Sequence, residues 1–423
     1  MDIRSIIKSL EGCPCGREHT VDIKAVEVGH GMKERCAEIL IQNGFPKNIL
    51  VVADKNTLSA SEGIIDILKC GGFSVKLRMY DNFREPLECF VDEIRAACAD
   101  VEGILSVGTG SLNDICRRAS LLCDKEFAIF ATAPSMDGFA SGTAPIIVNG
   151  IKDTLPARQP SIIIGDTEIL AASPAHLKAA GFGDIIGKYI ALVDWRVANL
   201  LVGEYYCDAI ASLVREALRR MTAMADRVWA DDEETAGFIM ETLIFTGIAM
   251  KLAECSRPAS GAEHQISHFL GMKKLAEGKI ADFHGKKVGV ATAELCRIYN
   301  KIADMDNVSF CKDRTVLSDV YAAYGAEQHE FITKMNYPSI CDKIPKTLLS
   351  EKFADIQRII REELPPTEEL ISVMKLAGAA TEYHEIDVDG ELACEALKYH
   401  SYMRCKVVLT RIMMMTDVDI TEL

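Results

Sequence analysis

Three histidines and one carboxylate hold the most chemistry in this sequence. His264 and His268 stand at i and i+4 in Ser260-Gly261-Ala262-Glu263-His264-Gln265-Ile266-Ser267-His268, which places both imidazoles on one helix face. His284-Gly285 opens another helical stretch, and Gly181-Phe182-Gly183-Asp184 breaks a third and presents a carboxylate. Asp184, His264 and His284 would offer one carboxylate and two imidazoles and leave positions open for substrate. That is the ligand set of a catalytic divalent metal such as zinc. A lone helical histidine is more often structural. Here three of nine histidines fall in polar, Gly-flanked segments, which favours a functional reading. The zinc-peptidase pattern His-Glu-x-x-His is not met, because residue 265 is Gln where the general base would stand.

Two further motifs could bind a ligand. Gly108-Thr109-Gly110-Ser111-Leu112-Asn113-Asp114 follows an apolar run and opens a helix. Glycines at such a turn let the backbone approach a phosphate, and the helix start favours negative charge. The third glycine of the dinucleotide fingerprint is missing, so a plain helix entry capped by Ser111 or Asn113 is the competing reading. Thr132-Ala133-Pro134-Ser135-Met136-Asp137-Gly138 follows a second apolar run. Its hydroxyls can donate and Asp137 can accept from a substrate hydroxyl, although a Pro-containing turn would look the same. Asp54 ends an earlier strand and could hold an adenosine ribose. It precedes the glycines, unlike the ordinary Rossmann order, and a turn or cap is the simpler reading.

The elements that must position these residues change character along the chain. The first 170 or so residues alternate strand-like apolar runs with helical ones: Ala25–Val28, Asn48–Ala53, Ser74–Tyr80, Gly103–Val107, Phe127–Ala131 and Ser161–Ile164 as strands. Helical stretches lie between them, among them Met32–Asn43, Ser59–Lys69 and Pro86–Ala99. This predicts an open parallel sheet with helices on both faces. After Ser173 only helical patterns follow, including Cys207–Trp229, Thr235–Glu254, Glu263–Ala276 and Gly289–Ala303. The expected fold is α/β plus all-α. A Rossmann-like parallel-sheet domain over residues 1–173 precedes a helical domain over 174–423, with the active-site cleft between them.

Composition narrows the function. The chain has 423 residues and a formal charge of −15, so a phosphate backbone would be repelled and no nucleic-acid partner is expected. The N-terminus, Met1-Asp2-Ile3-Arg4-Ser5, carries no apolar leader, and no apolar run approaches the roughly 18 residues of a membrane span, so no membrane partner is expected either. Fifteen cysteines, an odd number in a long chain, suggest a reduced cytoplasmic protein whose thiols are mostly small buried hydrophobes. Cys13-Pro14-Cys15 with His19 gives only three ligands and no second pair nearby, so a structured turn without metal is expected.

The order of these motifs resembles the sn-glycerol-1-phosphate dehydrogenases. Gly-x-Gly-Ser-Leu-Asn-Asp, Thr-Ala-Pro-Ser-Met-Asp-Gly, Gly-Phe-Gly-Asp, Ser-Arg-Pro-Ala-Ser-Gly-x-Glu-His and His-Gly follow one another over about residues 20–320. The pattern is most similar to the bacterial AraM-like branch, in a larger group with glycerol dehydrogenases, iron-dependent alcohol dehydrogenases and dehydroquinate synthase. The stretch Ser256–His268 is the most specific part, and the chain after about residue 330 carries no recognisable motif. The resemblance implies a homodimeric oxidoreductase that uses NAD or NADP and one divalent ion of zinc, nickel or iron. Carried over by motif, Gly108 and Gly110 to Asp114 would hold the pyrophosphate. Thr132, Ser135 and Ser141 would contact the cofactor, and Asp54 the ribose, with a lean to NAD. Asp137 and His268 would contact substrate. Asp184, His264 and His284 would bind the metal, with Asp184 also near the substrate.

The implied reaction moves hydride between NAD(P)H and dihydroxyacetone phosphate or sn-glycerol 1-phosphate, with His268 relaying the proton. The substrate phosphate needs a basic partner, for which Lys152, Arg257 and Lys188 are candidates. Rival readings are a glycerol or other polyol dehydrogenase, a sugar-phosphate cyclase, and a non-catalytic binding protein that keeps the fold.

Overall fold

The apolar run at Asn48–Asp54 is buried on both sides. Ile49, Val51 and Ala53 pack into one hydrophobic core, while Leu50 and Val52 point into the other. A strand with two buried faces needs a continuous apolar run, which is how this segment reads. The computed structural model describes residues 3–423; Met1 and Asp2, part of the segment expected to carry no apolar leader, lie outside the described residues.

Eight strands form: β1 (Ala25–Gly29), β2 (Asn48–Asp54), β3 (Ser74–Tyr80), β4 (Gly103–Gly108), β5 (Glu126–Ala131), β6 (Thr143–Val148), β7 (Ile151–Pro156) and β8 (Ile162–Asp166). Six make a parallel sheet in the order β1-β8-β5-β4-β2-β3. β6 and β7 form a separate antiparallel hairpin that the sequence reading missed. Its turn, Asn149-Gly150, has positive φ at both residues (49° and 78°). Asn-Gly is the strongest short hairpin signal, so it was there to be found. Pro145 within β6 and the polar residues of β7 hid the alternation.

Helices follow β8. Those that build the site are α1 (Gly110–Cys123), after β4, then α2 (Ala175–Ile186), α3 (Lys188–Val202), α4 (Glu233–Ala253), α5 (Ala262–Ala276) and α6 (His284–Ala303). Several expectations need correction. The stretch Ser59–Lys69 is two helices, Lys55–Ala60 and Ile64–Cys70, because Gly63 turns the chain at φ 87°. α6 starts at His284, as the His284-Gly285 reading has it, and so extends the stretch read from Gly289 by five residues. One helix, α4, does have the length and apolar character of a membrane span. Most of it is buried against other elements, as befits a core helix. The thiols are also less buried than expected: six of the fifteen cysteines are fully buried.

Gly181 and Gly285 explain the two Gly-flanked motifs. A Cβ at Gly181 would lie 1.9 Å from the Pro134 carbonyl oxygen. One at Gly285 would lie 2.0 Å from the Ala180 oxygen. These glycines let α2 touch both the loop after β5 and the start of α6. Three site segments therefore meet with no side chain between them.

Because the atoms that a new methyl would strike at residue 181 belong to backbone, side-chain repacking cannot relieve the clash. Gly181→Ala is expected to cost about 3 kcal/mol or more, at the upper end of overpacking penalties. Gly390→Ala, at a position facing open space, should be near neutral. Urea unfolding of the two variants checks this, and equal midpoints would refute it.

Candidate active site

The loop after β5 and the helical half meet at a buried ammonium. Lys188, on α3, is fully buried. Its Nζ lies 2.6 Å from Asp137 Oδ2 and 3.0 Å from Asp184 Oδ1, and it also donates to the Asp184 carbonyl at 2.8 Å. Burial opposes its charge, but Asp137 and then Asp184 outweigh burial and raise its pKa above the ordinary lysine value. The Asp137 amide donates to Asp184 Oδ2 at 2.9 Å, so the loop and α2 are also joined directly.

Asp184, His264 and His284 converge on one point. Their ligand atoms all lie within 4.8 Å of one another. His264 Nε2 is 3.5 Å from Asp184 Oδ1, and its Nδ1 is paired with Glu263 Oε1 at 2.7 Å. That pairing fixes the ring and leaves Nε2 to face Asp184. His284 Nδ1 is 3.3 Å from Ser267 Oγ, which likewise turns its Nε2 inward. His268 lies beside His284, with ring centroids 5.7 Å apart. Burial lowers the pKa of His268 well below the ordinary value, with His284 and Lys152 adding to it. Burial and then His264 lower His284 in the same way. These three donors, from three different elements, could hold one metal ion.

A cleft of about 1000 Å³ runs from these histidines to the start of α1. Asp54, Gly110, Ser111, Asp114, Thr132, Ser135, Asp137, Ser141, His264, His268 and His284 all line it. Gly108, Leu112, Asn113 and Asp184 lie behind the wall. Gly108 packs under Leu112, where a Cβ would come within 2.7 Å of Leu112 Cδ1. Gly110 takes φ +35°, which an L side chain would resist, and Gly110 and Ser111 at the start of α1 line the cleft with no side chain capping the helix. Neither Ser111 nor Asn113 caps this helix. Ser111 donates instead to the Arg84 carbonyl at 2.7 Å, and Thr109 and Ser135 hydroxyls pair at 2.8 Å. Burial raises Asp114 to about 6, against the pull of Arg117.

Asp54 is the N-cap of Lys55–Ala60, accepting from the Thr57 amide at 2.8 Å, and its other oxygen accepts from the Phe83 amide at 3.1 Å. The capping reading is therefore what its hydrogen bonds show, while its edge still borders the cleft.

The phosphate candidates separate clearly. Arg257 is spent on Glu204 (2.7 Å from Nε) and the Val407 carbonyl (2.7 Å). Lys188 is spent on the two aspartates. Lys152 lines the cleft from β7. Lys287, which the sequence reading missed, joins it from α6, one turn past His284. Burial, helped by Lys152, lowers Lys287 to about 7. Among the described residues no carboxylate pairs with either ammonium. The i+3 spacing from His284 was the available signal.

The last hundred residues carry a supporting role that no motif announced. Asp194 on α3 accepts from the Leu409 amide (2.8 Å), the Ala262 amide (2.8 Å) and Tyr299 OH (2.9 Å). The C-terminal segment thus fixes the first turn of the histidine helix α5.

Residues 27–174 match the family described as iron-containing alcohol dehydrogenase. A glycerol-1-phosphate dehydrogenase [NAD(P)+] of Bacillus licheniformis is 30% identical over 410 residues, which is 95% of this chain and 92% of the relative. The protein of that name in Halalkalibacterium halodurans is 34% identical over 299 residues, 69% of this chain and 74% of the relative. The one in Methanosarcina mazei is 35% identical over 270 residues, covering 63% and 74%. Among solved structures, a probable glycerol dehydrogenase from Sinorhizobium meliloti superposes with a TM-score of 0.63 at 16% identity, covering 95% of both chains, and so shares the fold. The iron-containing alcohol dehydrogenase of Corynebacterium glutamicum gives 0.61 at 13% identity, covering 96% and 98%. With 30% identity over nearly the full length of one relative and 34% identity over 69% of this chain to another, the chain belongs to the glycerol-1-phosphate dehydrogenase family.

Proposed function

We propose that this chain reduces dihydroxyacetone phosphate to sn-glycerol 1-phosphate, and runs the reverse, with NAD(P)H and one divalent ion. The observation that carries the reading is the meeting of Asp184, His264 and His284 at one end of the cleft, with the open start of α1 at the other. The reading divides the chain at residues 173 and 174 into a cofactor domain and a helical metal domain. Zinc, nickel and iron all suit one carboxylate and two imidazoles.

The residues present fit both groups. His264 and His284 each have one ring nitrogen engaged and the other turned inward, as metal ligands do. Gly110 and the uncapped start of α1 suit a pyrophosphate, with Gly108 and Leu112 shaping the turn and the buried Asn113 and Asp114 behind it. Thr132, Ser135 and Ser141 would contact the cofactor, and Asp54 its ribose, which would favour NAD because a carboxylate repels a 2′-phosphate.

When bound, the metal supplies Lewis acidity at the substrate oxygen and the nicotinamide gives or takes hydride. Asp137, held by Lys188, accepts from a substrate hydroxyl. His268 lines the cleft, and among the described residues nothing hydrogen-bonds its ring, so an imidazole nitrogen is available to pass the proton. Lys287 and Lys152 hold the phosphate. A homodimer in the cytoplasm, without nucleic-acid or membrane partners, completes the reading. The net charge of −15 and the many thiols support its setting, and the family resemblance supports the dimer.

NADH oxidation with dihydroxyacetone phosphate, with and without added divalent metal, tests the reading. Activity that needs metal is expected, and activity with glycerol and NAD alone would refute it. His264→Ala should lower turnover by about 10³-fold or more, since it removes several kcal/mol of Lewis-acid stabilisation, and should lower metal content. His268→Ala should keep the metal and lose about 10²-fold or more in kcat. Metal analysis beside kinetics separates the two, and metal loss in His268→Ala would reverse the roles.

Lys287→Met should raise KM for dihydroxyacetone phosphate by about ten- to a hundredfold, the worth of a charged hydrogen bond. The sign with pH follows from the lowered pKa. Lys287 is charged below about 7 and loses its charge above it, so wild-type KM should climb as pH rises through that value. A climb that persists unchanged in Lys287→Met would refute the assignment.

A further inference from the structure

Far from the cleft, the fold completes a cluster that the sequence left one ligand short. Cys13-Pro14-Cys15 and His19 lie in the segment before β1. Cys207 joins them from the N-cap of the helix Asp208–Thr222. The four ligand atoms lie within 4.8 Å of one another. Cys13 Sγ is 3.5 Å from Cys207 Sγ, Cys15 Sγ is 3.2 Å from His19 Nε2, and Cys207 Sγ is 3.9 Å from His19 Nε2. Zinc–sulfur and zinc–nitrogen bonds of about 2.3 and 2.0 Å make the edges of a tetrahedron about 3.8 Å for S–S and 3.5 Å for S–N. The observed separations scatter about those edges. They are too long for a disulfide, whose sulfurs stand about 2.05 Å apart.

The surroundings are built for a metal as well. His19 Nδ1 donates to the Leu252 carbonyl at 2.8 Å, which fixes the ring and leaves Nε2 toward the three sulfurs. Tyr205 donates its hydroxyl to Cys15 Sγ at 3.3 Å, and its own carbonyl accepts from Trp195 Nε1 at 2.6 Å. The Arg17 guanidinium lies 3.6 Å from the centre of the Tyr205 ring, bringing positive charge to a site of three thiols. None of the four residues borders the cleft.

We propose that Cys13, Cys15, His19 and Cys207 bind a structural zinc ion, separate from the Asp184, His264 and His284 site. Four protein ligands leave no position for substrate, so this ion holds structure. It fastens the segment before β1 to the helical half, at Cys207 and, through His19, at the end of α4. Local spacing suggested a metal-free turn, because the fourth potential ligand lies 194 positions from Cys13.

The test uses the full chain grown with zinc. His264→Ala, which disables the cleft site, should retain one zinc per chain. Zinc-edge X-ray absorption on that variant should show about three sulfur neighbours and one nitrogen, the tetrahedral Cys₃His set. Cys207→Ser should bring zinc down by one equivalent relative to wild type, with the sulfur shell reduced or lost. Should Cys207→Ser fail to fold, the readings on His264→Ala and wild type still decide. Zinc absent from His264→Ala, a zinc shell without sulfur, or a Cys13–Cys207 disulfide in intact-mass analysis would each overturn the proposal.

Discussion

A lysine ammonium buried between two carboxylates holds this molecule's working parts together. Asp137 comes from the loop after β5, Asp184 from α2, and Lys188 from α3. Water cannot screen these charges, so each is tolerable only while the other two stay in place. Breaking a buried pair by removing one partner costs about 3–5 kcal/mol. The same triad sets the direction of the Asp184 carboxylate, and with it the point where His264 and His284 can converge. Stability and catalytic geometry are one constraint here.

The glycines make that constraint reachable. Charged groups can approach to hydrogen-bond distance only if their backbones approach first. Gly181 and Gly285 remove the side chains that would keep α2 away from the Pro134 loop and from α6. The Gly-Phe-Gly-Asp and His-Gly motifs therefore pair a functional residue with the contact that positions it.

Much of this was legible in the sequence because it is local. The inner strands β2, β4, β5 and β8, buried on both faces, read as unbroken apolar runs, whereas the edge strands β1 and β3 carry Glu27, Lys76 and Arg78 and were legible from their alternation with helical stretches. The Asp184, His264 and His284 set was legible because each member lies within three residues of a glycine in a polar segment: Gly183, Gly261 and Gly285. What escaped was either weakly patterned or distant in sequence. The β6–β7 hairpin hid behind Pro145 despite its Asn149-Gly150 turn. Lys287 looked like any helical lysine until burial and the nearby Lys152 distinguished it. Asp194 carries no motif, and its value lies in backbone amides at residues 262 and 409 that only the folded chain brings to it. Arg257 misled for the complementary reason, since its Glu204 partner was invisible in its neighbourhood.

The strand order has a consequence for how the chain is made. β1 pairs along its length with β8, Ala25 opposite Ile162 through Gly29 opposite Asp166. The first strand synthesised thus waits, unpaired, for the last strand of the sheet to leave the ribosome. Contacts this distant in sequence are slow to form, and an unpaired apolar strand is exposed to aggregation meanwhile. β1 is short, five residues with Glu27 in the middle, which blunts its appeal to stray partners during that interval.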